Sequence, residues 1–166
     1  DGEPDDTLRV VNASVELPVG NFPSIEDARA EFDSIVETLN ATRKNGTEDE
    51  IKEAVKNAKR SNFVLGNAQR TADGPISMRV QAMRIGPAAL VAIPVEAFSE
   101  IGVAVKNSSP ASQTLFSGYT NGSLGYMPMA DAYEEGGYEV TTTPMAAGAA
   151  EETITACSDA VRALWR

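Results

Sequence analysis

Residues 76–98 read ISMRVQAMRIGPAALVAIPVEAF, and their patterning decides the architecture. Ile76, Met78, Val80 and Ala82 recur at a period of two, as in a strand with one buried face. Gly86-Pro87 reads as a turn, and Ala88 to Ile93 is apolar on both faces. Two strands joined by a tight turn, the second fully buried, satisfy this pattern. Pro94 stops the second strand because its ring nitrogen cannot donate to a ladder. Glu96 then stands just past a buried strand end, where a charged side chain needs a partner or a metal. The alternative reading is a carboxylate favoured by the dipole of a short helix from Phe98 to about Lys106.

Upstream, Val11, Ala13, Val15 and Leu17 alternate with polar neighbours, and Pro18 and Gly20 end that strand. Ser24-Ile-Glu-Asp27 is a helix-start signal. Ile25, Ala28, Phe32, Ile35, Val36 and Leu39 then share one helical face, and Asn45-Gly46 closes the run. Thr47-Glu-Asp-Glu50 is a capping box opening a second, more polar helix with a narrow stripe of Ile51, Ala54, Val55 and Ala58.

Downstream, Thr114 to Ser117 predicts a strand aimed at Gly118–Glu139, GYTNGSLGYMPMADAYEEGGYE. All four tyrosines of the chain fall there, divided by turn formers such as Asn121-Gly122 and Gly136-Gly137. Glu139 to Thr143 has β-branched, extended character. Ala150, Ile154, Cys157, Val161 and Leu164 then predict a closing amphipathic helix with Cys157 on its buried face. The order of elements lacks regular βαβ alternation, so the fold class is α+β, a mixed sheet with flanking helices.

The 166 residues suit one segment with an ordinary core. A net charge of −10 argues against nucleic acid and against charge-driven docking on anionic lipid. Histidine is absent, which excludes a histidine-based triad or a histidine-ligated zinc site made by this chain alone. One cysteine excludes an internal disulfide and a CxxC clamp. The longest apolar run, Ala88 to Ile93, is far too short to span a bilayer. The acidic start, Asp1-Gly-Glu-Pro-Asp-Asp6, reads as a loop at the edge of an excised or processed segment.

The segments MRVQAMRIGPAALVAIPVEAF and GYTNGSLGYMPMADAYEEGGYE together resemble the later part of the catalytic domain of neutral/alkaline, non-lysosomal ceramidases, and most of all its short bacterial members. The resemblance covers roughly residues 76–145 with useful motifs. In that family a Pro-x-Glu at a strand end supplies a zinc ligand, matched here by Pro94-Val95-Glu96. A tyrosine after a Gly-x-x-Asn segment completes the shell, which implies Tyr126. A second tyrosine, in a Tyr-Glu pair, contacts the scissile amide or its oxyanion, which implies a catalytic role for Tyr138. Tyr119 and Tyr133 then read as structural.

The resemblance further implies a zinc-dependent amide hydrolase acting on N-acyl sphingosine or related lipid amides, in a secreted or periplasmic setting. The zinc histidines belong to an earlier part of the domain. The chain is therefore expected to be a C-terminal half, inactive without an N-terminal half. A non-catalytic ceramidase-like domain, binding a ligand or protein through the tyrosine loop, is the alternative.

Overall fold

A computed structural model describes residues 5–166, so residues 1–4 of the loop expected at 1–6 lie outside the described residues, and residues 5–6 carry no helix or strand. The predicted strands are present: β1 (Leu8–Leu17), β2 (Ile76–Ile85) and β3 (Ala88–Ala92), with β5 (Gln113–Ser117) completing a sheet of order β1-β2-β3-β5. β1 and β2 run antiparallel from Leu8↔Ile85 to Leu17↔Ile76. β2 and β3 form the hairpin expected at Gly86-Pro87. β3 and β5 are parallel, with Leu90 opposite Leu115, and α3 (Ser99–Ser108) makes the crossover between them. The class is α+β with a mixed sheet, as the patterning requires.

The inner face of the sheet carries Leu17, Met78, Val80 and Val91, all essentially inaccessible, with α6 (Ala149–Ala163) against it. Ala150, Cys157, Val161 and Leu164 come from the α6 segment, and Ile101 and Val105 from α3. Each fully buried Val, Leu, Ile or Met contributes about 1.5–3 kcal/mol relative to an exposed position. The outer face corrects one expectation. β3 is not buried on both sides: Leu90 is only partly covered, and its neighbours Val10 and Leu115 on the same face are exposed.

The chain divides into two compact units, one running to Val19 and resuming at Pro75–Arg166, the other Gly20–Gly74. The second unit is a hairpin of α1 (Ile25–Asn45) and α2 (Glu48–Arg70), inserted in sequence between two strands that pair directly. Ser24 accepts from the Asp27 amide, and Thr47 and Glu50 make the reciprocal capping box. Ala28, Leu65 and Ala68 are its buried centre, with Phe22, Phe32 and Val64 around them. Ile25, expected inward, is exposed; it occupies the first turn, before the apolar stripe meets α2.

The tyrosine segment closes in two short helices, α4 (Ala132–Glu135) and α5 (Tyr138–Thr142). The second overturns the extended reading of residues 139–143. The Thr141 and Thr142 hydroxyls bond back to the Gly137 and Tyr138 carbonyls at 2.7 and 2.9 Å. Gly136 and Gly137, at φ 76° and 112°, redirect the chain just before it. Local hydroxyl bonding and a glycine turn therefore outweigh β-branching.

Candidate functional site

The tyrosine segment wraps the strand end that follows β3. Ile93 donates to the Ser117 carbonyl at 3.0 Å, and its own carbonyl accepts from Thr120 at 3.0 Å. The Pro94 carbonyl accepts from Leu124 at 2.7 Å, and the Val95 carbonyl from Tyr119 at 3.0 Å. Glu96 donates to the Gly125 carbonyl at 2.9 Å. Five backbone hydrogen bonds therefore hold residues 93–96 against the end of β5 and the loop after it, which fixes where the Glu96 side chain starts. Gly118 permits the wrap, since a Cβ there would come within 2.8 Å of the Val95 carbonyl oxygen.

The wrap ends in a second, two-stranded sheet of β4 (Glu96–Ala97) and β6 (Tyr126–Met127), parallel, with Glu96 directly opposite Tyr126. Side chains opposite one another in a pair are near neighbours, and the Tyr126 hydroxyl hydrogen-bonds the Glu96 carboxylate. Glu96 is therefore not a helix-start carboxylate. α3 begins at Ser99 with Phe98 at the cap and no side-chain capping bond.

Tyr119 also hydrogen-bonds Glu96 through its hydroxyl and lines the same cleft, where only a structural place was expected of it. The hydrogen bond to an anionic acceptor, reinforced by burial and by the charge of Glu96, pushes the Tyr119 phenol up to about 12 and raises Tyr126 as well. Both phenols therefore stay protonated at neutral pH and act as donors. The sequence held one signal for Tyr119: a bulky residue between Gly118 and Asn121 in a turn.

Tyr138 sits edge-on to Tyr126, ring centroids 5.8 Å apart at 76°, and is itself 58% exposed. Tyr133 is structural as expected: its hydroxyl donates to the Met145 carbonyl at 3.0 Å, and burial pushes it up to about 12. Cys157 is buried as expected, its thiol also pushed up to about 12 by burial, far from thiolate reactivity.

Glu96, Tyr119, Tyr126 and Glu139 line a cleft of about 660 Å³ with Phe98, Val103 and Phe116 on its apolar wall. A larger groove of about 1090 Å³ lies in the helical unit and holds none of the predicted site residues. Among the described residues no group of three or more His, Cys, Asp or Glu could hold a metal. Glu96 and Tyr126 are nonetheless two hard oxygen donors in mutual hydrogen bond, a donor pair that fits part of a zinc shell. No helix among the described residues is long and apolar enough to cross a membrane.

No family model matches the chain, and no curated protein matches it. Among solved structures the chain is similar to the neutral ceramidase of Pseudomonas aeruginosa, at 26% identity and a TM-score of 0.50. The match covers 54% of this chain and 15% of that enzyme. A ceramidase solved in complex with C2 matches over the same shares at 25% identity and a TM-score of 0.49. The chain thus spans only a small part of the enzymes it is similar to, and the likeness to the Pseudomonas enzyme supports a ceramidase-like hydrolase fold.

Proposed function

We propose that this chain is the C-terminal half of a ceramidase-like, zinc-dependent amide hydrolase domain, and that its cleft is half of the active site. The observation that carries this reading is the pairing of Glu96 with Tyr126 across β4 and β6, side chain to side chain, within a ceramidase-like fold. Glu96 and Tyr126 would hold the zinc from this side, and histidines from an N-terminal half would complete a four-ligand shell. Zinc bound there supplies an acidified water or hydroxyl nucleophile and polarisation of the amide carbonyl.

The chain's own residues then have distinct tasks. Tyr138, exposed beside Tyr126, donates a hydrogen bond to the oxygen that gains charge as the amide is attacked. A donor well placed for that charge is worth about 2.7–4 kcal/mol in the transition state. Phe98, Val103 and Phe116 give the cleft an apolar wall suited to the hydrocarbon part of an N-acyl sphingosine or a related lipid amide. The family implies a secreted or periplasmic setting for such a substrate.

The test is an assay of the complete protein on N-acyl sphingosines and on simpler amides, with and without chelator. Hydrolysis should vanish with chelator and return with zinc. Glu96→Gln should abolish it, and Tyr138→Phe should lower kcat by about 10²–10³. This chain by itself should bind zinc weakly. Tight, stoichiometric zinc binding in isothermal titration of the isolated chain counts against a half-site. Ligand binding without any hydrolysis by the complete protein favours a non-catalytic domain instead.

A further inference from the structure

Tyr119 stands apart from its neighbours in backbone conformation. Its φ is 53°, in the left-handed region, where only Asn121 accompanies it among the described non-glycine residues. Asparagine tolerates that region, but a bulky aromatic there is an outlier. Strained conformations persist where the surrounding structure over-determines them, and they cluster at functional sites. Here the determinants are visible. The Tyr119 amide is held by the Val95 carbonyl at 3.0 Å, one residue before Glu96. Gly118 leaves no room for a side chain against that same carbonyl. The left-handed turn sets the Tyr119 ring on the cleft wall, although 60% of the residue is exposed and burial alone would not hold it there.

We propose that Tyr119 is the positioning residue for Glu96: its phenol holds the Glu96 carboxylate aimed at Tyr126, so that the two donors can share one cation. This rests on the reading of Glu96 and Tyr126 as zinc ligands. The chemistry is that of an outer partner which orients a ligand. A carboxylate with a single phenol neighbour is free to rotate about its terminal bonds, whereas one held by two hydroxyls on neighbouring segments is not. Loss of such an outer hydrogen bond lowers metal affinity by about 10–100-fold. Tyr119 does not touch the substrate amide in this role, so its effect acts through Glu96.

The test measures zinc affinity of the complete hydrolase, this chain together with its histidine-bearing part, by competition with a fluorescent chelator. The variants are Tyr119→Phe, Tyr119→Asn, Glu96→Gln and Tyr126→Phe, with thermal unfolding measured for each. Tyr119→Phe should weaken zinc about 10–100-fold with an unchanged melting temperature. Tyr119→Asn should lose as much affinity and be at least as stable, because asparagine accepts the left-handed backbone. A crystal structure of this chain carrying Tyr119→Phe should show the Glu96 side chain turned away from Tyr126. Wild-type affinity and an unmoved Glu96 in Tyr119→Phe, with zinc weakened by Glu96→Gln and Tyr126→Phe, overturn the role of Tyr119 and leave the metal reading standing. Wild-type affinity in Glu96→Gln overturns the metal reading, and the role of Tyr119 with it.

Discussion

Replacing Thr143 by Val should loosen the site from behind. Thr143 is 3% exposed, and its hydroxyl donates to the Tyr126 carbonyl at 2.7 Å while accepting the Met145 amide at 3.1 Å. That one oxygen ties β6, which carries Tyr126, to the chain entering α6. Valine keeps the shape and removes the oxygen, so packing changes little and two buried backbone groups lose a partner. At about 1–3 kcal/mol for each unsatisfied group the sum is roughly 2–6 kcal/mol, and relaxation toward water favours the low end, about 2–3 kcal/mol. At 1.36 kcal/mol per factor of ten, native-state hydrogen exchange of the Met145 amide should speed up by about 30- to 160-fold. Thr143→Ser keeps the oxygen and should leave that rate within a few-fold. The reasoning fails if the Met145 amide in Thr143→Val exchanges at the wild-type rate, since the hydroxyl would then not clamp this corner.

Gly118→Ala should lower the melting temperature by several degrees, because its Cβ would meet the Val95 carbonyl at 2.8 Å and overpacking of that kind costs about 1–3 kcal/mol; an unchanged melt refutes the tight wrap. Acid should weaken the fold through Asp5, whose carboxyl is held down to about 2 by hydrogen bonds from Thr7 and by Arg84 at 2.8 Å. Its folded value lies below the unfolded one, so this contribution is complete above about pH 4 and is lost as pH falls toward 2. The difference in melting temperature between wild type and Asp5→Asn should shrink across that window. Alkali acts through Cys157 with the opposite dependence: its folded value is raised from 9.0 to about 12, so stability is complete below about pH 9. It falls from there to about pH 12, as only the unfolded thiol ionises, by about 1.4 kcal/mol per pH unit. Cys157→Ala should flatten that part of the pH–stability curve.

The strands were legible because they rest on period-two patterning that the sheet's inner face enforces: Leu17, Met78 and Val80 sit where the alternation puts them. Both helix starts were legible because capping is local chemistry between residues three apart. What the sequence concealed depends on partners distant in the chain or on turn geometry. Burial of β3 on both faces was inferred from an apolar run, but covering Leu90 from outside needs a second layer, and nothing in residues 88–93 encodes one. Residues 139–143 looked extended because β-branching is visible in sequence, whereas back-bonding of Thr141 and Thr142 after a glycine turn is not. Glu96 and Tyr126 were found through a family resemblance, and their pairing across β4 and β6 is a tertiary fact. The place of Tyr119 on the cleft was missed because it goes with a left-handed φ that periodicity cannot report.

If Glu96 and Tyr126 are zinc ligands as proposed, the hydrogen bonding around Glu96 explains how half a metal centre could exist in a folded chain. A bare carboxylate in a partly buried cleft is costly to leave without partners. Glu96 has two phenol donors, and among the described residues no buried side-chain nitrogen or oxygen is left without a hydrogen-bond partner. The backbone on either side of it is held by the loop through main-chain bonds alone. Glu96 is thus partnered from within the chain, whereas small domains whose binding energy is their folding energy rely on the metal for that. A metal arriving between Glu96 and Tyr126 would displace a proton from an already ordered pair and would not have to order the loop. The strained backbone at Tyr119 fits the proposed division of labour, in which core and main chain hold the scaffold and the phenols would hold the carboxylate ready.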